Sequence, residues 1–233
     1  PAQNMASEII KVDENGIIKL QELEERLAKL CYEEQQKSRP KILVSVIYAN
    51  NETGAINDIK KVSEIVFKYG AYLHVDASQA AGKIKLDFSS CGADMMTVSS
   101  HKIGGPKGVA ALMVKSGLEV EPLFTGGGQE KSLRAGTENL ASIAGFAMAA
   151  EESVKNLHEY IENTKNIQWF LEAEIKAISA DAIIFADNSE RLSNTTCFAI
   201  PEMSNDSALI SFDLEGICIS SGSACSSGRV SES

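Results

Sequence analysis

Leucines at positions 20, 23, 27 and 30 recur three and four residues apart, and Ile59, Val62, Ile65, Val66 and Tyr69 keep the same period. Positions so spaced share one face of a helix, so both stretches predict amphipathic surface helices. The second has Asn57 near its start and Gly70 at its end, a cap and a stop. Between and after them come "KILVSVIYAN", "AYLHVD", "DMMTVSS" and "GVAALMV". Short apolar runs bounded by turn residues predict strands buried on both faces. Strand, helix and strand around residues 42–76 make a parallel crossover unit, so the expected class is α/β: a mainly parallel sheet with flanking helices.

A longer pattern begins at Thr137, a good helix cap. Apolar or small residues recur at Leu140, Ile143, Ala147, Ala150, Val154, Leu157 and Ile161, and the stripe resumes at Leu171, Ile175 and Ile178. Unbroken, this helix would be roughly 60 Å long at 1.5 Å per residue. It is expected to link two domains or to line a dimer interface. Beyond it, "AIIFAD" and "NTTCFAIP" predict strands, "SNDSALISFDL" a short helix capped by Ser204 or Asn205, and "GICIS" a last strand.

With 233 residues, 44% of them hydrophobic, the chain has material for a substantial core. Its 22 basic and 32 acidic residues leave a net charge of −10 and no basic stripe, which argues against nucleic acid and anionic membranes as partners. Five cysteines, Cys31, Cys91, Cys197, Cys218 and Cys225, form no CxxC pair. That predicts reduced thiols in the cytoplasm, with neither a zinc site nor a disulfide frame. No run approaches ~20 apolar residues, and "PAQNMASEII" is not a leader, so membrane spanning and secretion are disfavoured. A proline at position 1 suggests a fragment.

In parallel α/β sheets ligands bind beyond the carboxyl ends of the strands. There the chain places Asn50 and Asn51, then Asp76 and Gln79, then Ser99, His101 and Lys102. A lysine held against low-dielectric walls gives up its proton readily and can form a Schiff base, which makes Lys102 a candidate covalent anchor. Asp76, at a strand end, needs a cation, and the ring nitrogen of pyridoxal phosphate is one. Singly, Asp76 reads as a turn former, Gln79 as a solvated residue and Lys102 as a surface cation beside a Gly-Pro turn. His74 reads as a sheet residue and His158 as a solvated one, and no ligand spacing marks a metal site.

The segments "YANNETG", "HVDASQAAGK", "SSHKIGGPKG", "GGGQEKSLRAGTEN" and "SSGSACSSG" together resemble the cysteine desulfurases of the NifS and IscS type. The resemblance implies an aspartate aminotransferase-like fold. Residues 1–150 would form an incomplete large domain that binds pyridoxal phosphate, and residues 151–233 a linking helix and part of a small α+β domain with the cysteine loop. It implies Lys102 as the covalent anchor and Asp76 against the ring nitrogen. Gln79 and Asn51 would meet the phenolic oxygen, with Ser99 and His101 on the phosphate. Thr137 would reach the phosphate of a second copy, making the enzyme a homodimer. Cys225 would take sulfur from L-cysteine as a persulfide, release L-alanine and pass the sulfur to an acceptor or iron–sulfur scaffold protein. "SSGSAC" is similar to the form of this loop that is longer and mobile. The resemblance also implies three elements that this sequence does not match: a glycine and threonine phosphate loop, a histidine stacked on the ring and a carboxylate-binding arginine, which Arg229 does not replace. The expectation is weak or absent pyridoxal phosphate binding by this chain alone. The alternatives are a truncated relative that only dimerises or binds partners, and another enzyme of the fold such as a selenocysteine lyase. Cys225 stands against an aminotransferase.

Overall fold

The computed structural model describes residues 7–34 and 42–222. Its centre is a four-stranded sheet in the order β1 (Leu43–Ile47), β2 (Tyr72–Asp76), β3 (Met95–Ser99) and β4 (Ala110–Val114). The first three strands are parallel, with Ile47 level with Asp76 and Asp76 level with Thr97. β4 returns antiparallel, Ser99 facing Ala110. Only residues 100–109 join β3 to β4, shorter than the dozen or so residues a parallel crossover needs.

Helices α1 (Leu20–Glu34) and α2 (Ile59–Lys68) take the predicted positions and lie together on one side. Leu23, Leu27, Val62 and Val66 from the helices meet Leu73, Val75 and Met96 from the strands, all almost fully buried. Burial of each such side chain contributes about 2 kcal/mol. The α2 cap is Asp58, which accepts from Lys61 N–H at 3.1 Å. Its neighbour Asn57 is buried and works elsewhere, accepting from Ile18 N–H and donating to Ile47 O. Gly70, at φ +66°, turns the chain after the helix.

The expectation of strands buried on both faces is corrected. Leu73 and Val75 point into the helical layer, whereas Leu43 and Ile47 of β1 and Leu112 of β4 are 56%, 41% and 50% exposed. The helices lie over one face, so side chains pointing to the other meet solvent. Across that open face Ser45 Oγ and Thr97 Oγ1 flank the His74 ring, each 2.8 Å from one of its nitrogens.

A short helix, α3 (Phe88–Cys91), joins β2 to β3. The long helical stripe is two helices, α4 (Leu140–Lys155) and α5 (Leu157–Ile178), interrupted at Asn156. The Asn156 side-chain amide donates to Glu152 Oε2 and to Glu152 O, which also accepts from the Asn156 backbone N–H at 3.0 Å. Thr137 does not cap the first of them. Asn139 does, its side chain accepting from Ser142 N–H at 3.1 Å.

At the far end of α5, Ile175 packs with Ala182, Ile184, Phe198 and Ile200 in a second, smaller cluster. Two antiparallel strands, β5 (Ile183–Ile184) and β6 (Phe198–Ala199), belong to it, and α6 (Asn205–Leu214) follows with Ser204 as its cap. "GICIS" is not a strand: its residues are exposed, and among the described residues no strand pairs with it.

Candidate active site

The loops after β1, β2 and β3 leave the sheet at one end because the strands are in register there. After β1, Asn50 Oδ1 accepts from the N–H groups of Glu52 and Thr53 and closes a tight turn. That leaves Asn51 exposed at its tip. Gly54 completes the turn at φ +77°, where an added Cβ would lie 3.1 Å from Thr195.

After β2 the chain winds through a helical turn, Ala80 and Ala81 both donating to Ala77 O. Asp76 is half-buried and accepts from Ser78 N–H at 2.9 Å. Among the described residues its carboxylate meets no cation. Gln79 and Lys83 lie one turn apart, and the Lys83 ammonium donates to Gln79 O at 2.9 Å and to Gln79 Oε1 at 3.0 Å. Lys83 is a buried lysine. Burial first, and the positive charge of Lys102 second, bring its pKa down to about 8.

After β3 a single 3₁₀ turn, Ser100–Lys102, carries the next three groups. Ser99 Oγ lies 2.9 Å from His101 Nδ1. Lys102 is half-buried and lines a groove of about 450 Å³ with Gly82, Lys83, Glu152, Ser153 and Tyr160. Helix α4 forms the groove wall because small residues let it approach. A Cβ on Gly145 would lie 2.7 Å from Pro106, and one on Gly82 3.1 Å from Ser153. Ser100, next to the site, is fully buried, and among the described residues its Oγ has no hydrogen-bond partner.

The aminotransferase class-V family matches residues 2–232. The chain belongs to that family. This class-V chain is 35% identical over 224 residues to the "Cysteine desulfurase IscS" of Dictyoglomus turgidum, spanning 96% of this chain and 54% of that one. Among solved structures, the NifS-like protein of Rickettsia africae superposes with a TM-score of 0.84 at 42% identity, over 92% of this chain and 57% of the other. A structure described as SspA in complex with cysteine superposes with a TM-score of 0.65 at 28% identity, over 92% of this chain and 56% of its own. The chain spans about half the length of the curated relatives it matches.

Class-V membership implies pyridoxal phosphate, and the residues present fit it. A carboxylate without a cation among the described residues, an amide, an amine lining a groove, and a hydroxyl beside an imidazole are the groups its ring nitrogen, phenolic oxygen, aldehyde and phosphate would require. The class-V fold brings Asp76, Gln79, Ser99, His101 and Lys102 to one end of the sheet, with Asn51 on the adjoining loop. It does not bring Thr137 to them by any hydrogen bond among the described residues. Thr137 is exposed after a loop that folds on itself, Ala135 donating to Phe124 O and Gly136 to Gln129 Oε1. Cys225 lies outside the described residues.

Lys83 belongs to the site although no motif in the sequence marks it for a role there. Its signal was its place four residues after Gln79 in a turn otherwise built of small residues. Of the other cysteines, Cys31 and Cys91 donate to backbone carbonyls, burial and then the Glu52 charge push the Cys197 thiol up, and Cys218 is exposed. Among the described residues no three histidine, cysteine or acidic side chains gather as metal ligands, and no helix is long and apolar enough to cross a membrane.

Proposed function

We propose that this chain carries most of the catalytic groups of a pyridoxal phosphate-dependent cysteine desulfurase. What supports the reading is the gathering of Lys102, Gln79 and a half-buried Asp76 carboxylate at the carboxyl ends of adjacent parallel strands. The structural neighbour described as SspA in complex with cysteine supports the choice of substrate.

Bound pyridoxal phosphate supplies an electron sink for breaking bonds at the α-carbon of an amino acid. Lys102 Nζ would anchor it and, once displaced by substrate, would carry the α-proton as general base and acid. The Asp76 carboxylate would hold a proton on the ring nitrogen, Gln79 and Asn51 would bind the phenolic oxygen, and Ser99 and His101 the phosphate. The Cys225 thiolate would take the substrate sulfur. L-cysteine and the enzyme thiol become L-alanine and an enzyme persulfide, so atoms and electrons balance without an added oxidant. The sulfur would then pass to an acceptor or iron–sulfur scaffold protein in the cytoplasm. Residues 1–150 would serve as the cofactor-binding domain and 151–233 as the linking helix and small domain. In a homodimer each Thr137 would complete the phosphate site of the other copy.

A second reading is a relative that binds partners only, without catalysis by this chain alone. One experiment separates them. Pyridoxal phosphate is added to the purified chain, followed by borohydride and peptide mapping. A yellow protein labelled at Lys102 that releases alanine from L-cysteine supports the enzyme, and loss of label in Lys102→Ala checks the site. A colourless, unlabelled chain overturns catalysis by this chain and leaves the second reading.

A further inference from the structure

Lys83 is buried, ionisable and not used by the chemistry above. Among the described residues its two hydrogen bonds both go to Gln79, one to the backbone oxygen at 2.9 Å and one to Oε1 at 3.0 Å. An ammonium group has three donors and no acceptor. The end of the Gln79 amide that meets it must therefore be the oxygen, and the Nε2 hydrogens must point the other way. Left to solvent, a glutamine amide turns either end toward a ligand.

We propose that Lys83 is a positioning residue whose ammonium holds the Gln79 amide with Nε2 outward, ready to donate to an anionic oxygen such as a phenolate. The inference rests on the reading of Gln79 as a cofactor contact. It adds the group that makes Gln79 a donor there rather than an acceptor. A glutamine presenting Oε1 to an anionic oxygen would repel it, so the orientation decides the sign of the contact.

The same geometry gives the hold a pH limit. The ionisable groups around Lys83 in the groove are Lys102, Glu152 and Tyr160. Glu152 is engaged by Lys155 at 3.2 Å and by the Asn156 amide at 3.1 Å, and burial pushes the Tyr160 phenol up, which keeps it neutral. Burial and the Lys102 charge bring Lys83 to about 8. Above that pH Lys83 becomes an amine with a lone pair, which can accept from Nε2, and the amide is free to turn.

Carbon-detected NMR of the ¹³C-labelled full chain tests this without cofactor, reading Lys83 Cε and Gln79 Cδ from pH 6 to 10. Both signals are expected to titrate together with a midpoint near pH 8. The Gln79 signal should be flat in Lys83→Met, and also in Lys83→Arg, which stays protonated, where it should keep its low-pH position. A Gln79 signal that is flat in wild type, or unchanged in its titration in Lys83→Met, overturns the proposal. Should Lys83→Met fail to fold, the wild-type and Lys83→Arg titrations still decide. A second arm titrates pyridoxal phosphate by its visible absorbance: Lys83→Met should bind about tenfold more weakly and Lys83→Arg should recover most of the loss. Equal binding by Lys83→Met and wild type overturns the proposal. If wild type takes up no pyridoxal phosphate, the functional reading fails and the carbon titration alone judges the hold on Gln79.

Discussion

Arg191 and Glu172 meet as a bidentate pair, Nη1 to Oε1 at 2.8 Å and Nη2 to Oε2 at 2.9 Å. Thr196 Oγ1 donates to Glu172 Oε1 as well, and the two charged side chains are only 10% and 19% exposed. Arg191 also pairs through its backbone with Ala55. The contact therefore ties α5 to the turn that presents Asn51.

Glu172→Ala is expected to destabilise the chain by about 2–3 kcal/mol, because it leaves a nearly buried guanidinium without its partner. Burial alone would push the Glu172 carboxyl up, but the hydrogen bonds from Arg191 and Thr196 and the Arg191 charge hold it below its ordinary value of 4.5. Its stabilisation is thus present above pH 4.5 and lost as pH falls through the folded-state value. Urea unfolding at pH 7 and pH 3.5 should show the wild-type advantage over Glu172→Ala shrinking at the lower pH.

Ser100→Ala should stabilise the fold by about 1 kcal/mol, since it removes a buried hydroxyl that has no partner among the described residues. Gly105 presses on the same atom: a Cβ there would lie 2.2 Å from Ser100 Oγ. Gly105→Ala should be destabilising in wild type and much less so in the Ser100→Ala background. A thermal-melt double-mutant cycle reads that coupling, and additive effects would contradict it.

Asn57→Ala should cost about 2–3 kcal/mol, because it strands the Ile18 N–H and the Ile47 carbonyl. Asn57→Asp keeps the acceptor but sets a buried carboxylate oxygen against the Ile47 carbonyl, so chemical denaturation at neutral pH should find it at least as destabilised as Asn57→Ala.

Lys83 carries a stability signature of its own. Its pKa is lowered in the folded state from 10.5 to about 8, so the unfolded chain binds this proton more tightly. Native stability is penalised below pH 8, and the penalty is relieved as pH climbs from 8 to 10.5. The Tm of wild type relative to Lys83→Met should rise between pH 7.5 and 9.5. A constant difference would show that Lys83 is not burdened by burial.

The strands of the sheet and the first two helices were legible because their burial writes itself as a period. Caps were less so. Asn57 and Asp58 are both good cap residues, and only the structure shows Asn57 drawn into bonds with Ile18 and Ile47, leaving Asp58 to close the helix. Thr137 and Asn139 pose the same ambiguity, resolved by which side chain reaches Ser142. Burial on both faces could not be read from β1 and β4, because an apolar run reports what a strand favours and not what lies over it. In the site, the residue types pointed to Asp76, Gln79 and Lys102. The hold of Lys83 on Gln79 was hidden, since a lysine near a turn ordinarily reads as solvated.

The open face of the sheet has a colloidal consequence. Leu43, Ile47 and Leu112 stand there in contact with water, while a net charge of −10 opposes their non-specific association. That repulsion vanishes near pH 4.9, where the acidic and basic charges balance and the apolar strands do not change. Light scattering across pH 4 to 8 should find the chain monodisperse at neutral pH and clouding as the charge is titrated away, a turbidity set by apolar strand side chains that face water.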